Sequence, residues 1–159
     1  MTRTPSRLQK ELQQTRPFRS LQQEGAIGVV RTADFIRRSV WEALEPHGVS
    51  PQQYNVLRIL RGAQPETMPT LSIAERMIER TPGITRLLDR LERKHLVRRE
   101  RCATDRRQVM CEITAKGLEL LGRLDGPVSR AEDEALGRIS KADLRTLIRI
   151  LDAVREHHA

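Results

Sequence analysis

Aromatic residues are nearly missing from this chain: one Trp, one Tyr and two Phe make up 3% of 159 residues. So sparse a supply argues against a β-sandwich and for a helix-rich protein cored by Leu, Ile and Val. Only two cysteines occur, Cys102 and Cys111, with no C-x-x-C motif and no second pair. That spacing supports neither a disulfide framework nor a zinc ribbon and suits a reducing compartment. No apolar run approaches the roughly 20 residues that a bilayer requires, and the polar N-terminus lacks the apolar core of a secretory signal. A cytoplasmic location without a membrane partner is therefore expected. A Gly-rich phosphate loop is also missing, the four histidines (His47, His95, His157, His158) are scattered or terminal, and no Ser or Cys has a placed base. No enzymatic activity, catalytic residue, metal site or cofactor is expected from such a pattern.

What the chain does have is positive charge in one place. It carries 29 Lys/Arg against 21 Asp/Glu, a formal +8. Between Arg76 and Arg107 stand eleven Lys/Arg and five Asp/Glu, so an excess of +6 sits in about one fifth of the length. A basic cluster of this kind favours a polyanionic partner, and the local pattern has to choose between DNA, RNA and an anionic surface.

That pattern runs from Leu71 to Thr114. Ser72 and Glu75 have the spacing of a capping box and predict a helix starting at Ile73. Thr81-Pro82 predicts a second helix, with Thr81 as its cap and Pro82 in its first turn. In that second helix Ile84, Leu87, Leu88 and Leu91 recur at i, i+3, i+4 and i+7, leaving Thr85, Arg86, Asp89, Arg90 and Arg93 on the other face. Two short helices joined by a tight turn, the second bearing arginines, describe a helix-turn-helix with its recognition helix. After Leu96, the segments Val97–Cys102 and Gln108–Ile113 read as two strands around the tip Ala103-Thr104-Asp105-Arg106-Arg107, with Val109, Cys111 and Ile113 alternating inward. A basic hairpin directly after a recognition helix is a wing.

In base-edge chemistry, arginine pairs bidentately with guanine O6 and N7, so Arg86 and Arg90 are the expected base readers, beside Thr81, Thr85 and Arg93. Asp89 is expected to position a neighbouring arginine or to accept from a cytosine amino group. Arg106 or Arg107 is expected in the minor groove, while Lys94, Arg98, Arg99 and Arg101 are expected on phosphates. Any one of these arginines could instead be a solvated surface charge.

Taken in order, LSIAERM, ITRLLDRLERKHLVRRE and DRRQVMCEIT with Ala115-Lys116-Gly117 behind it make the chain resemble the MarR family of bacterial transcription regulators. His95 stands where that family often has glycine. The resemblance extends more loosely from Gly25 to the C-terminus. It implies a mainly α fold with a small β-hairpin wing: a winged helix-turn-helix DNA-binding lobe plus a helical dimerisation region from the N- and C-terminal helices. It further implies that Asp105 braces the wing for Arg107, and that a small phenolic or anionic effector binds near Trp41 and Tyr54.

The remaining segments fill in this plan. Residues 1–24 read as a basic arm with a short helix, capped by Ser6 and carrying Leu8 and Leu12, or else as a frayed tail. Residues 25–159 read as one MarR-like domain, with the winged helix-turn-helix at about 52–114. A long helix is predicted over 25–46. The next helix is predicted from Gln52 to Arg61, with Ser50 as cap, Pro51 in its first turn and Gln53 closing the box. Residues 62–69 read as a loop. Helices are then predicted over 116–136, bent or weakened at Gly126-Pro127, and over 141–157, opened by Ser140 with Asp143. The stripe Leu144, Leu147, Ile148, Leu151 and Val154 needs a partner surface, so the terminal helices are expected to form a homodimer; a monomeric helix bundle is the alternative.

The functional expectation is a sequence-specific regulator, a ligand-responsive repressor that binds a pseudo-palindromic operator in double-stranded DNA as a homodimer. The alternatives are a non-specific architectural DNA-binding protein, a winged helix that binds protein, and a regulator controlled by oxidation of Cys102 or Cys111. Metal sensing by His95, Cys102 and Cys111 has no ligand spacing to support it.

Overall fold

The computed structural model describes residues 5–79, 83–105 and 107–156. The chain divides into two compact units, Met1–Arg38 and Ser39–Ala159. This division falls within a helix.

In the first unit, α1 (Arg7–Glu11) starts at Ser6, whose hydroxyl accepts from the Gln9 backbone N–H. Leu8 reaches back to the helix α2 (Leu21–Leu44), its Cδ2 lying 3.6 Å from where a side chain on Gly28 would begin. The second unit begins with the last six residues of α2, Ser39 to Leu44, and a 3-10 turn over Glu45–His47 follows. Gly48 closes that turn at φ +66°, a left-handed conformation that suits a residue without Cβ.

Helix α3 (Pro51–Ala63) opens with a complete capping box. The Ser50 hydroxyl accepts from Gln53 N, and the Gln53 side chain accepts from Ser50 N at 3.1 Å. This explains why Gln53 is the buried polar residue in an otherwise apolar core. Tyr54, Val56, Leu57 and Leu60 project from the same helix into that core.

The segment before the helix-turn-helix departs from the expected loop. Met68–Pro69 forms a short strand, β1, which pairs antiparallel with β3 (Val109–Ile113) at Met68↔Cys111 and Pro69↔Met110. With β2 (Val97–Arg101) on the other edge, the sheet has order β1-β3-β2, so the wing is the outer hairpin of a three-stranded sheet. Because β1 ends at Pro69, α4 (Thr70–Arg76) starts directly on it, and the Thr70 hydroxyl bonds to Val109 O. Ser72 therefore lies inside α4. The capping box expected from Ser72 and Glu75 does not open this helix, because strand pairing sets its start.

Helix α5 (Ile84–Arg93) also starts later than the sequence suggests. Its N-cap is Gly83 at φ +98°, a position where any side chain would be strained; Thr81 and Pro82 lie outside the described residues. Leu87, Leu88 and Leu91 are buried and Ile84 partly so, as the apolar spacing requires. At its C-terminal end His95 takes φ +58°, and the amides of His95 and Leu96 donate to the Glu92 and Leu91 carbonyls. This is a left-handed helix stop of the kind glycine usually supplies.

Helix α6 (Ala115–Leu136) is capped by Thr114 and continues through Pro127, so Gly126-Pro127 does not break it. Gly117 is required by packing. A Cβ there would lie 2.4 Å from the Leu96 carbonyl oxygen and 2.6 Å from Ile113 Cγ1, so α6 can approach the root of the wing only without a side chain. Helix α7 (Lys141–Glu156) opens at Ser140, whose hydroxyl accepts from Asp143 N. Among the described residues, no helix is long and apolar enough to cross a membrane.

Candidate nucleic-acid interface

Helix α5 and the wing place the basic cluster on the surface of the second unit, but they do not treat its members alike. Thr85, Arg86, Arg90 and Arg93 are exposed along α5, opposite Leu87, Leu88 and Leu91. The side chains of Arg86 and Arg90, one turn apart, have no ion pair or hydrogen-bonded partner among the described residues. Arg93 Nε leans back onto the Asp89 carbonyl at 3.4 Å. At the wing tip, Asp105 accepts from the backbone N–H of Arg107 at 3.0 Å and from the Gln108 side-chain amide at 3.1 Å. These bonds hold the loop closed and leave the Arg107 side chain exposed. Arg106 and Thr81, both expected at the interface, lie outside the described residues.

The cations assigned to phosphates divide differently from expectation. Arg99 is paired within the chain: its guanidinium lies 2.6 Å from Asp89 Oδ1 and 2.6 Å from Glu92 Oε2, and its side chain is only 20% exposed. The hydrogen bond to Glu92 is the main reason that its pKa is raised further. A charge consumed by two carboxylates is a poor phosphate ligand. Asp89 thus pairs with an arginine from the wing. Arg98 pairs across the ladder with Glu112 at 2.6 Å yet remains 61% exposed. Lys94 donates to the Gly48 carbonyl oxygen at 2.5 Å and so ties the end of α5 to the loop before α3. Strand parity carried the signal for Arg99: with Val97 buried, the residue two positions on shares the inward face.

The two thiols differ as well. Cys111 is buried beneath the sheet, and burial pushes its pKa up, which disfavours the thiolate that oxidation requires. The Cys102 thiol is pulled below its ordinary value, first by the Thr104 hydroxyl at 3.2 Å and then by backbone N–H groups.

The residues expected to wall an effector pocket are also separated in character. Tyr54 is a core residue at 7% exposure, with the Arg58 guanidinium 5.8 Å from its ring centroid; Trp41 on α2 is 43% exposed. A cavity of about 330 Å3 does open, but within the first unit, lined by Arg7, Glu11, Arg31, Thr32, Asp34, Phe35 and Arg38.

A helix-turn-helix followed by a braced basic hairpin defines the winged helix-turn-helix class. The MarR family model matches residues 49–109, from the start of α3 into β3. The chain is 40% identical to a MarR transcription factor from Planctomyces limnophilus, over 86% of this chain and 99% of that one, with a TM-score of 0.67. The chain therefore belongs to the MarR family of DNA-binding transcription regulators. In fold it is also similar to two proteins solved with DNA. One is Sco3205 from Streptomyces coelicolor, at 21% identity, 91% and 92% coverage and TM-score 0.78. The other is MepR from S. aureus, at 21% identity, 83% and 96% coverage and TM-score 0.76.

Proposed function

We propose that this protein is a homodimeric, sequence-specific repressor that reads a pseudo-palindromic operator and releases it when a small phenolic or anionic effector binds. The observation that carries the DNA reading is a contrast between α5 and β2: the side chains of Arg86 and Arg90 stand exposed and unpaired one turn apart, while Arg99 on β2 is paired with Asp89 and Glu92. Two free guanidinium forks on one helix face suit the O6 and N7 acceptors of guanine in a major groove. Thr85 and Arg93 flank them, and Arg107, held out by Asp105, suits the negative potential of a narrow minor groove. Arg98 and Arg101 remain exposed enough to meet phosphates.

The dimer reading is supported by α7, which buries none of its residues although Ile148 and Val154 share one stripe. An apolar stripe left open on a 16-residue helix suits a second copy of the same chain. Two α5 helices related by a two-fold axis fit successive major grooves when about 34 Å apart, so half-sites about one turn apart are expected. For the effector, Trp41 is the partly open aromatic wall, and as the single tryptophan it reports on its own surroundings.

Selection from a random duplex pool tests the reading: a two-fold symmetric sequence should be enriched. Arg86→Ala should then lower preference for that sequence by about 10- to 100-fold, whereas Arg101→Ala should weaken all duplexes alike. Recovery of no consensus would contradict the proposal and favour an architectural role. Quenching of Trp41 fluorescence by a phenolic acid, together with release of the selected duplex, would support the effector; no release at saturating acid would remove it.

A further inference from the structure

We propose that Arg99 is a positioning residue that clamps the wing to α5 and so sets sequence preference without touching DNA. The inference rests on the DNA-reading role of α5 and the wing. Arg99 is the third residue of β2 and shares the inward face with Val97. Its Nη2 meets Glu92 Oε2 and Asp89 Oδ1, each at 2.6 Å, and its Nε meets Glu92 Oε2 at 2.9 Å. Asp89 and Glu92 are three residues apart on α5, so one guanidinium holds the helix at two points along nearly a full turn. Two-point attachment restricts rotation of α5 about its own axis as well as its distance from the strand. Because the fork is planar and rigid, lysine could not reproduce it.

Directly across the ladder from Arg99 lies Cys111, which is wholly buried and whose sulfur is 3.6 Å from the Thr70 hydroxyl. Cys111 also faces Met68 on β1. The clamp therefore joins α5 to a sheet that is itself fixed to the start of α4. A reading helix and a wing that meet different grooves of one duplex must hold a set mutual orientation, and this network fixes that orientation before DNA arrives. It also explains two carboxylates on a helix that would otherwise repel phosphate: both are taken up by Arg99.

The wild type, Arg99→Met, Arg99→Lys and Glu92→Gln are titrated against the selected duplex and a scrambled one over a range of salt. Wing amide hydrogen exchange is measured on the same free proteins. The clamp predicts that Arg99→Met and Glu92→Gln each reduce the ratio of the two affinities by about tenfold. The slope of log Kd against log salt stays unchanged, and exchange at residues 97–101 and 109–113 speeds up. Arg99→Lys keeps the charge and should still lose most of the preference. A direct phosphate contact predicts the opposite signs: Glu92→Gln would tighten both duplexes, and Arg99→Met would reduce the slope by about one. That result, or unchanged wing exchange, overturns the clamp. Should Arg99→Met fail to fold, Glu92→Gln decides alone, since it keeps the arginine and the volume. A wild type that does not discriminate between duplexes would overturn the DNA reading instead, and the exchange measurement would still judge the clamp.

Discussion

The helix-turn-helix and its wing close an apolar core within one chain, whereas the last helix leaves its apolar stripe open. Helices α3 and α5 with the sheet share a closed core in which Leu57, Leu60, Ile73, Leu88 and Leu91 are almost inaccessible. Helix α7 also carries an apolar stripe but has no buried residue, with Ile148 58% and Val154 59% exposed. The same physics acts on both: apolar area seeks cover at about 25 cal/mol per Å2. The difference is where the cover comes from. The lobe that presents the arginines covers its own apolar side chains, while α7 leaves its stripe open, and under the proposed function a second copy of the chain covers it.

The comparison can be broken at its largest point by charging the open stripe. Ile148→Asp with Val154→Asp should leave the lobe folded and raise the dimer dissociation constant at least about 100-fold, read by analytical ultracentrifugation. An unchanged sedimentation coefficient would mean that α7 is not an interface. The converse change strikes the finished lobe: Gly117→Ala drives a methyl group into the Leu96 carbonyl and Ile113. It should cost about 2 to 3 kcal/mol in urea unfolding, without exposing a new association surface.

A smaller effect should come from His95, which holds φ +58° at the end of α5. His95→Gly removes that backbone strain and should stabilise the lobe by about 1 kcal/mol, visible as a higher urea midpoint. The smallest involves Arg61 on α3 and Asp125 on α6, paired at 2.8 and 3.0 Å. The hydrogen bond to Arg61 lowers the Asp125 pKa. The pair therefore adds stability above the ordinary carboxylate range, near pH 4, and that contribution is lost as pH falls through the lowered folded value. Because both side chains are solvent-accessible, it should stay below about 1 kcal/mol. Asp125→Asn should flatten the acid limb of a stability–pH curve; an identical limb would show that the pair contributes nothing.

Much of this architecture was legible in the sequence because its signals are local. The cap at Ser50 with Gln53, the cap at Ser140 and the leucine spacing of α5 each depend on residues within one or two turns. The misreadings share one cause, which is action at a distance. Ser72 and Glu75 have a capping spacing, but the start of α4 is set by pairing of β1 with a strand some forty residues later. A two-residue strand containing Pro69 carries no periodicity of its own. The basic residues show the same limit: Arg86 and Arg99 are alike in composition, and only the side of the element on which each falls separates a free fork from a consumed one. For Arg99 the alternation from Val97 was the available clue. For Lys94, whose partner is the Gly48 carbonyl, there was none.

The most direct test of the central claim is an anisotropy titration of the intact protein against its selected duplex and a scrambled duplex, at low and at physiological salt. A sequence-specific regulator should prefer the selected duplex by roughly a thousandfold or more, with the preference surviving physiological salt. Equal affinities that fall together as salt rises would contradict that claim and identify a protein that coats DNA through its charge alone.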